Sequence, residues 1–141
     1  MIDDNGSDSA RILIVDDNEA NRDLLARRLQ RQGHRTAMAE NGRVALGMLQ
    51  REPFDLMLLD IMMPEMTGFE LLEHTKADPV LKHVPVILIS ALDDTESITR
   101  GIAMGADDHL PKPFNKYILN ARVSASLARK RLHDREQMHA R

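Results

Sequence analysis

The stretch DLMLLDIMMPEMTGFELL, residues 55–72, decides the fold of this chain. Residues 56–59 are apolar without a break, which is typical of a parallel strand that is buried on both faces. A loop of Met, Pro and Gly follows, and from Gly68 to about Ala77 apolar residues recur at helical spacing. The stretch therefore predicts a strand, a loop and a helix, with the carboxylate of Asp60 where the strand ends.

The same alternation of strand and helix continues on both sides of this stretch. Apolar or alternating runs predict strands at residues 12–15, 34–39, 56–59, 84–89 and 108–110. Helical spacing predicts helices at residues 18–32, 68–77 and 93–104, another between Val44 and Pro53, and a long one after Asn115. Five strands that alternate with five helices predict an α/β fold. We expect a flavodoxin-like, doubly wound parallel sheet in the order 2-1-3-4-5, with an extended C-terminal helix.

Length and composition limit the classes of protein that the chain can belong to. The 141 residues suffice for one domain and a tail. We expect residues 1–10 to be a disordered lead-in, residues 11–128 to form the domain, and residues 129–141 to be a helical extension or a linker to an output domain. The absence of Cys excludes disulfides and thiolate zinc sites and fits a cytoplasmic location. We expect no membrane span, and the net charge of −3 argues against direct nucleic-acid binding.

Polar residues follow the strands at one edge of the predicted sheet, namely Asp16, Asp17, Asp60, Ser90 and Lys112. In a doubly wound sheet, ligands bind beyond the carboxyl ends of the strands at the switch point, here between the first and third strands. Three carboxylates that converge there repel one another and raise each other's pKa unless a cation binds between them. Oxygen ligands without Cys or clustered His favour Mg²⁺, with Mn²⁺ as the alternative.

Each of these residues also has a simpler structural interpretation. Asp16 and Asp17 could cap the helix that follows, and Asp60 could be a turn residue. Lys112 could be a solvated loop lysine, and Ser90 could cap the next turn. The functional interpretation is that a metal-bound carboxylate beside a lysine is suited to attack a phosphoryl donor, with the Ser90 hydroxyl donating to a phosphoryl oxygen.

Four segments in the same order carry a family resemblance. They are ILIVDDNEANRDLL at 12–25, the stretch at 55–72, PVILISA at 85–91 and LPKPF at 110–114. Together they resemble the receiver domain of two-component response regulators, over about residues 10–128. The resemblance implies a domain that is not an enzyme in the multiple-turnover sense. It accepts a phosphoryl group from a histidine kinase or phosphotransfer protein and signals to an output domain or partner.

The resemblance also implies a role for each site residue. Asp60 is the expected phosphoacceptor, Asp17 a direct Mg²⁺ ligand and Asp16 a ligand through water, while the backbone carbonyl of Met62 is the third protein ligand. Ser90 and Lys112 are expected to sense the phosphoryl group, Ala91 to leave room for it, and the Lys112-Pro113 peptide to be cis. The responding surface is expected to be the fourth helix, the fifth strand and the fifth helix.

Two features near the site bear on how the signal is passed on and how long it lasts. The family's switch residue, three positions before the lysine, is usually Tyr or Phe, whereas this chain has His109. A histidine can rotate inward, but it titrates near neutral pH, and it could equally be an exposed histidine of an edge strand. Met62 and Leu92 flank the site and cannot orient an attacking water, so we predict slow self-dephosphorylation.

The last helix is longer than a receiver domain needs. Its seam of small and apolar residues at 3-4-3-4 spacing predicts a weak coiled-coil contact and a homodimer through this helix. The seam consists of Ile118, Ala121, Ala125, Ala128 and Leu132.

Three rival classes share parts of this pattern. A flavodoxin-type cofactor binder needs a first loop that accepts phosphate, which Asp16 and Asp17 would repel. A phosphohydrolase of the haloacid-dehalogenase type needs an Asp-x-Asp pair after the first strand, which Asp60-Ile61-Met62 lacks. A receiver-like docking module that is never phosphorylated is the third alternative.

Overall fold

The computed structural model of this chain describes residues 9–63, 66–91 and 93–139. The strands are β1 (Arg11–Val15), β2 (Arg35–Ala39), β3 (Leu56–Asp60), β4 (Val86–Ala91) and β5 (Asp108–Lys112). The helices are α1 (Glu19–Arg31), α2 (Gly42–Arg51), α3 (Gly68–Ala77), α4 (Thr95–Ala103) and α5 (Lys116–His139), with a short 3₁₀ helix at Leu81–His83.

The sheet is parallel throughout and has the predicted order β2-β1-β3-β4-β5. In register, Val15 at the end of β1 lies opposite Ala39 of β2 and Leu59 of β3. The chain therefore leaves β1 at the point where the strand order reverses, and this places the first loop at the switch point.

Two apolar layers cover the two faces of the sheet. Leu13, Met57 and Leu88 belong to the layer that includes residues of α2 and α3. Ile12 and Leu58 belong to the layer formed with α1 and α5. Because neighbouring side chains in a strand point to opposite faces, apolar runs such as residues 56–59 fill both layers, and this fixes the doubly wound arrangement.

Side-chain caps begin the helices and account for most of the predicted boundaries. Asn18, Asn41, Asp94 and Asn115 each accept a backbone N–H of the following turn. Thr67 and the third residue of α3 form a reciprocal capping box. Gly33 and Gly105 follow α1 and α4 with φ of 91° and 112°, a conformation that glycine adopts readily.

Several strand boundaries differ from the predictions. β4 runs from Val86 to Ala91, not over residues 84–89, so Pro85 precedes the strand and does not interrupt its ladder. β3 and β5 extend to Asp60 and Lys112, because the parallel ladder continues through the pairs Asp60–Ile89 and Ala91–Lys112. The site residues of these strands therefore belong to the strand ends themselves and not to the loops beyond them.

The predicted lead-in, residues 1–10, and the predicted extension, residues 129–141, lie at the two ends of the chain. Ala10, predicted in the lead-in, is buried, and its N–H donates to His34 Nδ1 at 3.1 Å. Residues 1–8 lie outside the described residues. Helix α5 passes residue 128 without a break and reaches His139. The structure therefore shows no boundary in the helix at residue 128, and the end of the domain there stays a prediction.

Helix α5 has a buried and an exposed face. Leu119, Val123 and Leu127 pack into the core. The predicted seam lies on the exposed side of the helix, with Ile118 and Leu132 among its members. Within the described residues, no helix is both long and apolar enough to cross a membrane.

Candidate functional site

The three predicted acids meet at the switch point. Asp16 and Asp17 directly follow β1, and Asp60 ends the neighbouring β3. One carboxylate oxygen from each lies within 4.8 Å of the others. Asp16 and Asp60 are buried, at 0% and 2% exposure, while Asp17 is open to solvent. The cluster therefore has two acids in the interior and one at the mouth.

Asp16 shows why a cation fits this cluster. Its Oδ1 accepts the N–H of Asn18 at 2.9 Å, as a local turn would require. Its Oδ2 is buried and has no hydrogen-bond partner among the described residues. A buried carboxylate oxygen without a partner is costly, and a divalent cation held at the cluster would offset that cost. Capping explains only one of the two oxygens, and the cap of α1 is Asn18 itself.

Asp60 is electrostatically perturbed in the direction that the cluster predicts. Burial raises the pKa of Asp60 to about 6, with Asp16 as the next contribution in the same direction. The Lys112 ammonium and the Met62 N–H, each 3.4 Å from Asp60 Oδ1, lower that pKa and offset part of the rise. The ionised form of Asp60 is therefore stabilised by nearby positive charge.

Lys112 supplies one such charge from β5. Its Nζ lies 3.4 Å from Asp60 Oδ1, with about a third of its side chain exposed. Pro111 precedes Lys112, and the Lys112-Pro113 peptide is cis, as the family resemblance implies. The lysine thus contacts the buried acid and is not a fully solvated loop residue.

Ser90 lies near the site but does not join the carboxylate cluster. It is buried near the end of β4, and its hydroxyl donates to the Ala91 carbonyl at 3.4 Å. Within the described residues it makes no hydrogen bond to Asp60. Met62 is 69% exposed beside the site, and Leu92 lies outside the described residues.

Two further residues support the site. A Cβ on Gly68 would lie 2.5 Å from the carbonyl oxygen of Asp60, so only glycine lets α3 begin this close to β3. The sequence motif contains this glycine, but its spacing gave no physical reason for it. Arg22 donates to the main-chain carbonyl of Asp16 at 2.7 Å and holds the loop after β1. Its position on α1 was the only signal in the sequence.

His109 lies on the edge strand β5 opposite Leu88 and is half-buried, so the alternative of an exposed edge histidine does not hold, while its role as the switch residue stays a prediction. Its Nε2 is buried and has no partner among the described residues. Burial lowers the pKa of His109, the Arg122 guanidinium lowers it further, and Asp108 opposes them. The lowered pKa favours the neutral form of the imidazole.

Fold and site together define a class of protein. A doubly wound sheet with three carboxylates at its switch point, and a lysine against the central one, is the arrangement of receiver-type domains. A family model described as the response regulator receiver domain matches residues 12–124. The chain belongs to this family, whose members are parts of two-component signalling systems. Receiver domains bind Mg²⁺ at an acidic pocket, and the cluster of Asp16, Asp17 and Asp60 corresponds to it.

Known proteins resemble the chain in sequence and in structure. The Response regulator PleD of Caulobacter vibrioides is 45% identical over 115 residues, covering 82% of this chain and 25% of PleD. A probable cyclic di-GMP phosphodiesterase of Vibrio cholerae is 40% identical, covering 87% of this chain and 28% of that protein. The chemotaxis protein CheY4 of Vibrio cholerae superposes with a TM-score of 0.79 at 32% identity, covering 84% of this chain and 98% of CheY4. The chain thus spans only about a quarter of the two curated relatives.

Proposed function

We propose that this chain accepts a phosphoryl group on the carboxylate of Asp60, from a phosphohistidine of a histidine kinase or phosphotransfer protein. The observation that carries the proposal is the Asp16 carboxylate, whose buried Oδ2 has no hydrogen-bond partner among the described residues. One carboxylate oxygen of Asp16 lies within 4.8 Å of an oxygen of each of the other two acids, and a lysine contacts Asp60. Two buried carboxylates, with one oxygen left without a described partner, favour a cation site over a purely structural role.

The residues divide the work of the transfer. A carboxylate oxygen of Asp60 attacks phosphorus, the bond from phosphorus to the donor breaks, and the leaving group keeps the electron pair. Asp16, Asp17 and Asp60, with the Met62 carbonyl, would hold Mg²⁺, which neutralises charge on the phosphoryl oxygens when bound. Lys112 supplies a second positive charge that is already in place, 3.4 Å from the nucleophile.

The phosphorylated state is proposed to change the surface formed by α4, β5 and α5. The added charge, about −1.5 to −2, would draw the Ser90 hydroxyl and the Lys112 ammonium toward the phosphoryl oxygens. His109, half-buried on β5, would follow as the switch residue. Met62 and Leu92 offer no group to orient water, so the phosphoryl group would be lost slowly, without the multiple turnover of an enzyme.

Partners and setting follow from the same proposal. Because the curated relatives are several times longer than this chain, we propose that the receiver controls an output domain or a separate partner protein in the cytoplasm. The exposed seam of α5 supports a homodimer as one way of transmitting the change. We propose no direct nucleic-acid or membrane contact for this domain.

The test uses the whole chain with acetyl phosphate and Mg²⁺, followed by intact mass spectrometry. We expect a gain of one phosphoryl group that needs Mg²⁺ and is lost in Asp60→Asn. Asp23→Asn, a matched change at an exposed carboxylate of α1, should label normally. No gain of mass in the wild-type chain would favour the docking module that is never phosphorylated. Repeated turnover of a phosphate ester would favour a phosphohydrolase.

A further inference from the structure

A groove with a strong positive charge runs between α1 and α5, formed by residues that the proposed phosphoryl transfer does not use. It consists of two adjoining cavities of about 430 Å³ and 360 Å³, which share Gln32 and Asn120. The first is lined by four cationic side chains, those of Arg27, Arg28, Arg31 and Lys116, and the second by Arg131.

The charge of the first cavity is not balanced by acidic residues in its lining. None of the described residues that line either cavity is acidic. Arg27 and Arg28 donate to the main-chain carbonyls of Asp23 and Phe114, and Lys116 lies over the ring of Tyr117. Within the described part of the chain, none of the four cations of the first cavity pairs with a carboxylate. A concentration of cations on a chain of net charge −3 is an electrostatic footprint for an anionic partner.

Asn120 adds a second requirement at the junction of the two cavities. Its Oδ1 is buried and accepts no hydrogen bond from any described residue. An amide oxygen accepts from an N–H or O–H donor, which a bare carboxylate does not offer. An occupant that combines negative charges with a hydrogen-bond donor, as a polypeptide with acidic side chains does, would satisfy both the cations and this amide.

The dimensions of the groove also favour a polypeptide. Its lining residues extend from Lys116 to Arg131 on α5, about 22 Å at 1.5 Å per residue. Along α1 and its C-cap, the lining residues extend from Leu24 to Gln32, about 12 Å by the same measure. A groove of this length fits several turns of a helix or several extended residues better than it fits one small ion.

We propose that the groove between α1 and α5 docks an acidic segment of a partner protein. Carboxylates of that segment pair with Arg27, Arg28 and Arg31, whose planar guanidinium groups suit two-point contacts. A backbone or amide N–H of the segment donates to Asn120 Oδ1. This docking site does not overlap the carboxylate cluster, and it does not depend on phosphorylation of Asp60.

The experiment measures binding of a fluorescent Glu/Ala peptide of about 15 residues, long enough to follow the groove as a helix. Fluorescence anisotropy with the full chain should show binding that weakens with salt. A Gln/Ala peptide of the same length should not bind. The double variant Arg27→Gln with Arg31→Gln should weaken binding at least tenfold. A control pair with the same loss of charge, Arg43→Gln with Arg135→Gln at exposed positions, should not.

A second variant tests the role of the amide. Asn120→Leu removes the acceptor and keeps every cation, so we expect a severalfold loss of affinity with an unchanged salt dependence. Circular dichroism and the urea unfolding midpoint show whether each variant is folded. For the wild-type chain, heteronuclear NMR should place the peptide at the Asn120 side chain.

Four results obtained with the N-terminal residues unaltered would overturn the proposal. They are no binding of the Glu/Ala peptide, equal binding of the neutral peptide, an equal loss in the control pair, and tighter binding of tripolyphosphate at the same residues. Binding that emerges only after Asp3, Asp4 and Asp8 are changed to Asn would also contradict it, because the occupant would then be the chain's own acidic stretch.

Discussion

Asp60 combines burial, a like-charged neighbour and a lysine contact in one side chain. Its identity and those of Asp16, Asp17 and Lys112 could be predicted because parallel strand ends converge at a known edge of the sheet. Two features could not be predicted, because they depend on side-chain directions that only the folded neighbours fix. They are the Asp16 oxygen that has no partner among the described residues and the hydrogen bond from Arg22. The half-buried state of His109 was missed for the same reason.

The raised pKa of Asp60 predicts a pH-dependent stability in the metal-free protein. The pKa of Asp60 in the folded chain, about 6, lies above its ordinary value of 3.8. The folded state is therefore stabilised by protonation of Asp60. This contribution is fully present below about pH 4 and is lost as the pH rises through 6. Metal-free Asp60→Asn should therefore unfold with a free energy higher by up to roughly 3 kcal/mol at about pH 7.5. That advantage should shrink as the pH falls from 6 to 4.

Urea denaturation with a chelator, across this pH range, measures the difference. Asp23→Asn is the control, because Asp23 is exposed on α1 and should show no such pH-dependent gain. If the free energy of unfolding of Asp60→Asn differs from that of the wild type by the same amount at every pH, folding does not raise the pKa of Asp60, and the prediction is wrong.

His109 carries a separate prediction at the residue scale. His109→Ala should leave Mg²⁺-dependent labelling of Asp60 unchanged, because the imidazole makes no contact with the carboxylate cluster within the described structure. It should reduce the phosphorylation-dependent NMR shifts of α4 and α5, since the proposed link between site and surface is then missing. Unaltered shifts in both helices would remove His109 from the proposed switch.

Among the five α-helices, α4 has the fewest buried residues in the described structure. Its one buried residue is Gly101, whose missing Cβ makes room for Leu88 of β4. Sequence periodicity predicted the helix and nearly its bounds. It could not predict that the helix packs through a glycine, because the close approach depends on a side chain of another element. A helix held by so little buried surface is suited to move in response to the site.

Gly101→Ala should lower the free energy of unfolding by roughly 1–3 kcal/mol, because a methyl group there would overlap the buried Leu88. Gly47→Ala is the matched control within α2, where the nearest atom to a new Cβ is the flexible end of Arg51 at 3.2 Å. It should stabilise the chain by up to about 1 kcal/mol. Urea denaturation distinguishes the two, and a stabilised Gly101→Ala would contradict the packing described here.

At the scale of the whole molecule, the C-terminal extension contacts the domain. The ring of His133 stacks on His83 at 4.5 Å, and Lys130 lines a cavity that also involves Phe54 and Val84. The length of α5 could be predicted from its helical spacing. The contact between α5 and the 3₁₀ helix could not be predicted, because neither His133 nor His83 belongs to a periodic apolar pattern.

The acidic cluster also predicts how the whole chain responds to metal. Mg²⁺ at about 100 times its Kd should raise the free energy of unfolding by about 2.7 kcal/mol, since only the folded chain brings the three acids together. Asp17→Asn should lose most of this gain, and a chelator should reverse it in the wild type. Urea denaturation at constant ionic strength gives the measurement. If sodium chloride raises the free energy of unfolding by the same amount, the gain comes from general charge screening and not from a metal site.

The most direct test of the central claim is to locate the phosphoryl group itself. After reaction with acetyl phosphate and Mg²⁺, borohydride reduces an aspartyl phosphate to homoserine, and peptide mass spectrometry identifies the altered residue. We predict homoserine at position 60, with Asp16 and Asp17 unchanged and no product without Mg²⁺. Homoserine at another acid, or phosphate on a side chain that resists borohydride, would contradict the proposed role of Asp60.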